Sequence, residues 1–123
     1  MKGERIMLKK LFKNREDSDA FLLIKTGSLM IGEAEEMGKK RIFKPSEYEI
    51  NEFVHKCIKF KKELLRVIDE SKHLIDDTII SSELINNVES LEILSLNDCK
   101  RLGEYSIKIG RLLRECLISK KEL

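Results

Sequence analysis

The sequence predicts an all-α protein, an antiparallel helical bundle of four to five helices, and three observations lead there. Apolar residues recur at intervals of three and four along most of the chain. Proline occurs once, tryptophan not at all, and aromatic residues make up only 6%, a vocabulary rich in the helix formers Lys, Glu, Leu and Ile. Capping residues stand just ahead of the periodic stretches. A chain of 123 residues fits one domain, spanning 1–123, with a single core.

The first element expected is a short amphipathic helix from Glu4 to Lys13, with Met7, Leu8, Leu11 and Phe12 along one side and Lys9, Lys10 and Lys13 on the rest. The polar cluster from Asn14 to Asp19 ends it, and Asp17 or Ser18 caps the next helix. There the spacing Ala20, Leu23, Ile24, Gly27, Met30, Ile31, Ala34, Met37, Gly38 holds one face. Residues 20–32 also admit a hairpin turning at Thr26-Gly27, because Gly27 and Gly32 are poor helix formers. The spacing continues past where a hairpin would end, which favours the helix.

Pro45 precedes Ser46-Glu47-Tyr48-Glu49, a Ser-x-x-Glu capping box. The seam that follows, from Ile50 through Phe53, Cys57, Leu64, Val67, Ile68 and Leu74 to Thr78, predicts one long central helix over about 46–80, near 50 Å in length at ~1.5 Å per residue. Leu84, Ile85, Val88, Leu91 and Leu94 suggest a shorter helix after Ser81-Ser82. Asn97 or Asp98 would cap the last helix, whose stripe is Leu102, Tyr105, Ser106, Ile109, Leu113, Cys116 and Leu117.

Small residues supply a packing code. Ala20, Gly27 and Ala34 are spaced by seven, as are Gly103 and Gly110. A glycine inside a helix costs about 1 kcal/mol against alanine, so such positions imply close backbone approach that recovers the cost in contacts. The two helices are expected to touch at these small faces, with each other or with a copy.

Several chemistries are disfavoured. Cys57, Cys99 and Cys116 make an odd count without a C-x-x-C pair, which argues against disulfide scaffolding and zinc. Neither a signal-peptide h-region nor a run long enough for a membrane span is visible, so a cytoplasmic setting is expected. Two Glu-x-x-His pairs, Glu52 with His55 and Glu70 with His73, have the spacing of di-iron bundles, but both fall on one helix about 27 Å apart and cannot share a metal within one chain. Phosphate loops, nucleophile elbows and dinucleotide fingerprints are missing from the sequence. No enzyme activity, metal, cofactor or small-molecule substrate is therefore expected.

Net charge is +2, split unevenly, with 15 basic and 10 acidic residues up to Lys62 and 9 and 12 after it. Lys59, Lys62 and Arg66, preceded by His55, align on one face of the third helix, and Lys108, Arg111 and Arg114 give the last helix a shorter basic line. These could meet nucleic-acid phosphates, although Glu63, Glu104 and Glu115 interrupt them.

Gly27-Ser28 with Gly32 resembles the helix of histidine phosphotransfer domains, but the position of their phospho-accepting histidine is Leu23 here, so that activity is not implied. Leu94-Ser95 followed by Ile109-Gly110-Arg111-Leu112-Leu113 resembles the last helix of small four-helix-bundle proteins that include intervening-sequence proteins of ribosomal RNA genes and retroelement accessory proteins. That resemblance implies a bundle working near nucleic acid, and the aromatic residue expected near Cys116 is missing.

The function these features favour is a non-enzymatic protein–protein interaction module, a self-associating adaptor, assembly factor or regulatory subunit. Its partner is expected to be a second copy or another protein, meeting Ala20, Gly27, Ala34, Gly103, Gly110, Leu64, Val67 or Leu74, because a third helix of that length would leave part of its Leu64 to Ile80 face uncovered. The alternative is a nucleic-acid accessory protein.

Overall fold

A computed structural model describes residues 15–39, 44–71 and 80–122, with side chains described from Asp19 to Cys116 inside those ranges. Its four described helices are α1 Arg15–Lys39, α2 Glu47–Ser71, α3 Ser82–Ser90 and α4 Leu96–Glu122. The protein is all-helical over these residues, and the stretch 20–32 is helix, not hairpin. The helix expected over Glu4 to Lys13 lies outside the described residues.

Helix starts follow local hydrogen bonding. Pro45 stands outside α2, and Ser46 Oγ accepts from the Glu49 amide at 3.2 Å, satisfying one of the amides that a helix leaves open at its first turn. Ser81 caps α3 in the same way, accepting from the Leu84 amide at 3.1 Å. Helix α4 begins earlier than expected. Ser95, not Asn97 or Asp98, is the cap: its hydroxyl accepts from the Asp98 amide, and the Asp98 carboxylate reaches back to accept from the amides of Leu94 at 2.9 Å and Ser95 at 3.0 Å. These bonds, led by the one from Leu94, hold the Asp98 carboxyl below its ordinary range. At the other end of the chain, α1 is already helical at Arg15, so Asp17 and Ser18 lie inside it and are not its caps.

The long central helix expected over about 46–80 is helix from Glu47 to Ser71 among the described residues. Helix α2 has 25 residues and is described to Ser71, 72–79 lie outside the described residues, and Ile80 stands in a bend. The longest described helix is α4, with 27 residues.

The dominant contact joins α1 to α4. Gly27 lies beside Gly103 and Ala20 beside Gly110, so numbers rise along one helix as they fall along the other, and the pair is antiparallel. Helix α2 packs on both, and α3 bridges α2 and α4. Leu23 of α1, Leu64 and Cys57 of α2, Val88 of α3, and Cys99, Leu102 and Ile109 of α4 are fully enclosed where these helices converge. Lys61 ties α2 to the end of α3, its ammonium donating to the carbonyls of Glu89 and Leu91 at 2.8 Å each. A cation there complements the negative end of the helix dipole.

Candidate interaction surface

Close packing of α1 on α4 is carried by residues without side-chain bulk. A Cβ placed on Gly27 would stand 2.6 Å from the Gly103 carbonyl oxygen, one on Gly103 2.8 Å from the Gly27 oxygen, and one on Gly110 2.9 Å from the Ala20 oxygen. Backbone thus touches backbone, an approach that a larger residue would prevent. Ala20 and Ala34 are buried along the same side of α1. Ser106 Oγ donates to the Leu23 carbonyl at 2.6 Å in the buried contact, and Lys100 meets Glu35 at its edge, 3.1 Å apart. The small residues of the two helices face each other within one chain.

Leu64 and Val67 are likewise turned inward. Leu64, Val67, Ile68, Ser71 and Ile80 are all buried, so the expectation that the Leu64 to Ile80 face needs an outside partner fails over its described residues, because the chain's own helices cover it. Leu74 lies outside the described residues.

Among the described residues the large side chains left most open are Leu94, Tyr48 and Leu29, and Leu29 lies on the side of α1 that points away from the core. Between Ala20 and Gly32 the only charged residue is Lys25, in a chain where 37% of residues are charged. The outward side of α1 sets Leu29 among exposed Lys25, Ser28, Glu33 and Glu36. Leu29 is 63% exposed, Phe21 is exposed at the edge of the same side, and a Cβ on Gly32 would meet nothing within 4 Å. Lys25, Leu29, Gly32 and Glu36 follow at steps of four, three and four, which aligns them on one face. The signal was in the sequence, since Phe21 and Leu29 fall outside the stripe that begins at Ala20, but a stripe read for one apolar face passes over a second.

Basic side chains are scattered over two other faces. Lys59 and Lys62 are exposed on α2, as are Lys108, Arg111 and Arg114 on α4. Arg66 is held by Glu63 and by Glu70, the latter at 2.6 Å, and these bonds raise its already high pKa further. A shallow hollow of about 470 Å³ beside α2 is lined by Tyr48, Asn51, Glu52, His55, Lys56 and Lys59, and one of about 430 Å³ beside α4 by Glu104, Ile107, Lys108, Arg111 and Leu112. Each places a carboxylate among its cations. Of the two Glu-x-x-His pairs, Glu52 and His55 share the first hollow, while His73 lies outside the described residues. Among the described residues no three His, Cys, Asp or Glu gather as a metal ion would require.

Cys57 and Cys99 meet in the core between α2 and α4, 1% and 0% exposed. The neighbouring Cys99 thiol first, and burial second, hold the Cys57 thiol far above its ordinary pKa. All three cysteines are free and buried. Since the reactive species is the exposed thiolate, iodoacetamide should alkylate Cys57 and Cys99 in the native protein only as fast as the fold opens, and completely in denaturant. Mass spectrometry of a time course reads this, and rapid native labelling of Cys57 would contradict the burial.

No helix among the described residues is long and apolar enough to cross a membrane. Comparison with known proteins finds no matching family model, no matching curated protein and no matching solved structure, so the resemblance at the last helix gains no support from them.

Proposed function

We propose that this chain is a non-enzymatic helical-bundle module that works by binding protein through the outward face of α1. The observation that carries this reading is the Ala20 to Gly32 segment, with its single charge and with Leu29 63% exposed. Apolar surface kept in water on an otherwise charged molecule is the usual mark of an interaction site, and a helix face is a common way to present it. The small residues on the opposite side of α1 serve this surface indirectly, by seating the helix close against α4.

The nucleic-acid reading has less support. Its two basic lines are broken by Glu63, Glu104 and Glu115, Arg66 is already engaged by Glu63 and Glu70, and Tyr48 is the one large aromatic side chain among the described residues that lies well open, at 74%. Phosphate binding needs cations free to replace counterions.

A benzophenone amino acid in place of Leu29 tests the reading. Irradiation in cells should give covalent protein adducts at position 29 and none from the same probe in place of Glu115, an exposed residue on the far side of α4. Absence of any protein adduct at position 29 would refute the proposal.

A further inference from the structure

Resting on that reading, we infer that the partner of the α1 face is a second copy of the chain, docked α1 against α1 in antiparallel fashion about a two-fold axis at the Met30–Ile31 peptide bond. Charge and shape on this face are self-complementary about that point. Lys25 lies as far before it as Glu36 lies after it, and Leu29 as far before it as Gly32 after it. In an antiparallel pair, positions equidistant from the axis stand level with each other. Lys25 of one copy then faces Glu36 of the other, twice over by symmetry. Neither side chain has a hydrogen bond or ion pair among the described residues to give up. Around the axis Leu29 meets Leu29 on one side. On the other, Gly32 meets Gly32 and lets the backbones approach, in the same manner as Gly27 and Gly103 inside the chain.

The parallel alternative sets Lys25 against Lys25 and Glu36 against Glu36, so like charges oppose it. A different protein seated there would need its own acid opposite Lys25 and its own base opposite Glu36, whereas the second copy supplies both. The open glycine is also accounted for. Within one chain Gly32 costs helix stability and touches nothing, whereas in the pair it stands at the point of closest approach. A single helix face of 25 residues offers less area than a standard interface, so the affinity expected is roughly micromolar.

Sedimentation of the purified chain across concentration should show a monomer–dimer equilibrium. Leu29→Glu should abolish the dimer without changing the melting temperature of the dilute protein, because the residue is exposed. Lys25→Glu should weaken association roughly ten-fold by turning two attractions into two repulsions, and the double variant Lys25→Glu, Glu36→Lys should restore it. The alignment has its own check: a Leu29→Cys variant should cross-link to itself under mild oxidation, while Lys25→Cys should not, its two copies standing about 16 Å apart along the helices. A strict monomer up to roughly 100 μM, a Leu29→Glu variant that still dimerises, or a double charge swap that fails to restore association would overturn the inference. If the purified chain is monomeric while the probe at position 29 captures a different protein, the self-pairing falls and the module reading stands. If neither gives association, both fall.

Discussion

Gly27→Ala lowers the melting temperature of this protein by roughly 6 to 10 °C, and Gly32→Ala, the same change five residues further along the same helix, raises it. The sign is set by what the added methyl group meets. Both substitutions gain about 1 kcal/mol of helix propensity. At position 32 nothing lies within 4 Å, so the dilute monomer keeps that gain. At position 27 the new carbon would stand 2.6 Å from the Gly103 carbonyl and 2.9 Å from Ile107 Cγ1, and the nearer of these is backbone, which cannot rotate away. Helices α1 and α4 must separate, the Ser106–Leu23 hydrogen bond lengthens with them, and overpacking of up to about 3 kcal/mol outweighs the gain. Thermal melts of the two variants followed by circular dichroism decide the matter. Shifts of the same sign at both positions would mean that the α1–α4 contact is wrongly drawn.

Leu64→Ala should cost about 3 kcal/mol, and by the same amount in dilute and concentrated protein. Leu64 is 0% exposed between helices of its own chain, so the truncated side chain leaves a cavity that no partner fills. For a domain of this size, with a stability of ~5–15 kcal/mol, that is a large fraction of the total. Leu29→Ala, on the open face of α1, should change the stability of the monomer by no more than about 0.5 kcal/mol. Denaturant titrations at two protein concentrations separate core from interface. A cost for Leu64→Ala that appears only when the protein is concentrated would return this residue to an intermolecular contact.

The helical class was legible because the three-and-four spacing and the Ser46 capping box are local signals, written within a few residues of where they act. What was less legible depended on neighbours in space. Ala20, Gly27, Gly32, Gly103 and Gly110 could all be found by eye, yet composition does not say which glycine is covered, and Gly32 differs from Gly27 only in the direction it faces. The start of α4 was misjudged although Ser95-Leu96-Asn97-Asp98 spells a capping box, because Leu96, only half-buried, was left outside the apolar stripe. The basic line at Lys59, Lys62 and Arg66 is legible together with Glu63, which interrupts it, while the second partner of Arg66, Glu70, stands four residues on, the spacing at which helical side chains meet. The face now assigned to binding was hidden for another reason. Sequence periodicity finds the side of a helix that is buried, and Leu29 stands off that stripe among polar and charged neighbours.

The contact between α1 and α4 has a further consequence. Because its small residues repeat every seven positions, sliding one helix about 10 Å along the other would bring Gly27 level with Gly110 and Ala34 level with Gly103, an arrangement as thin as the native one. Glycine and alanine therefore fix how near the two helices stand and leave their phase undetermined. The choice between the two phases falls to the few groups that do not repeat.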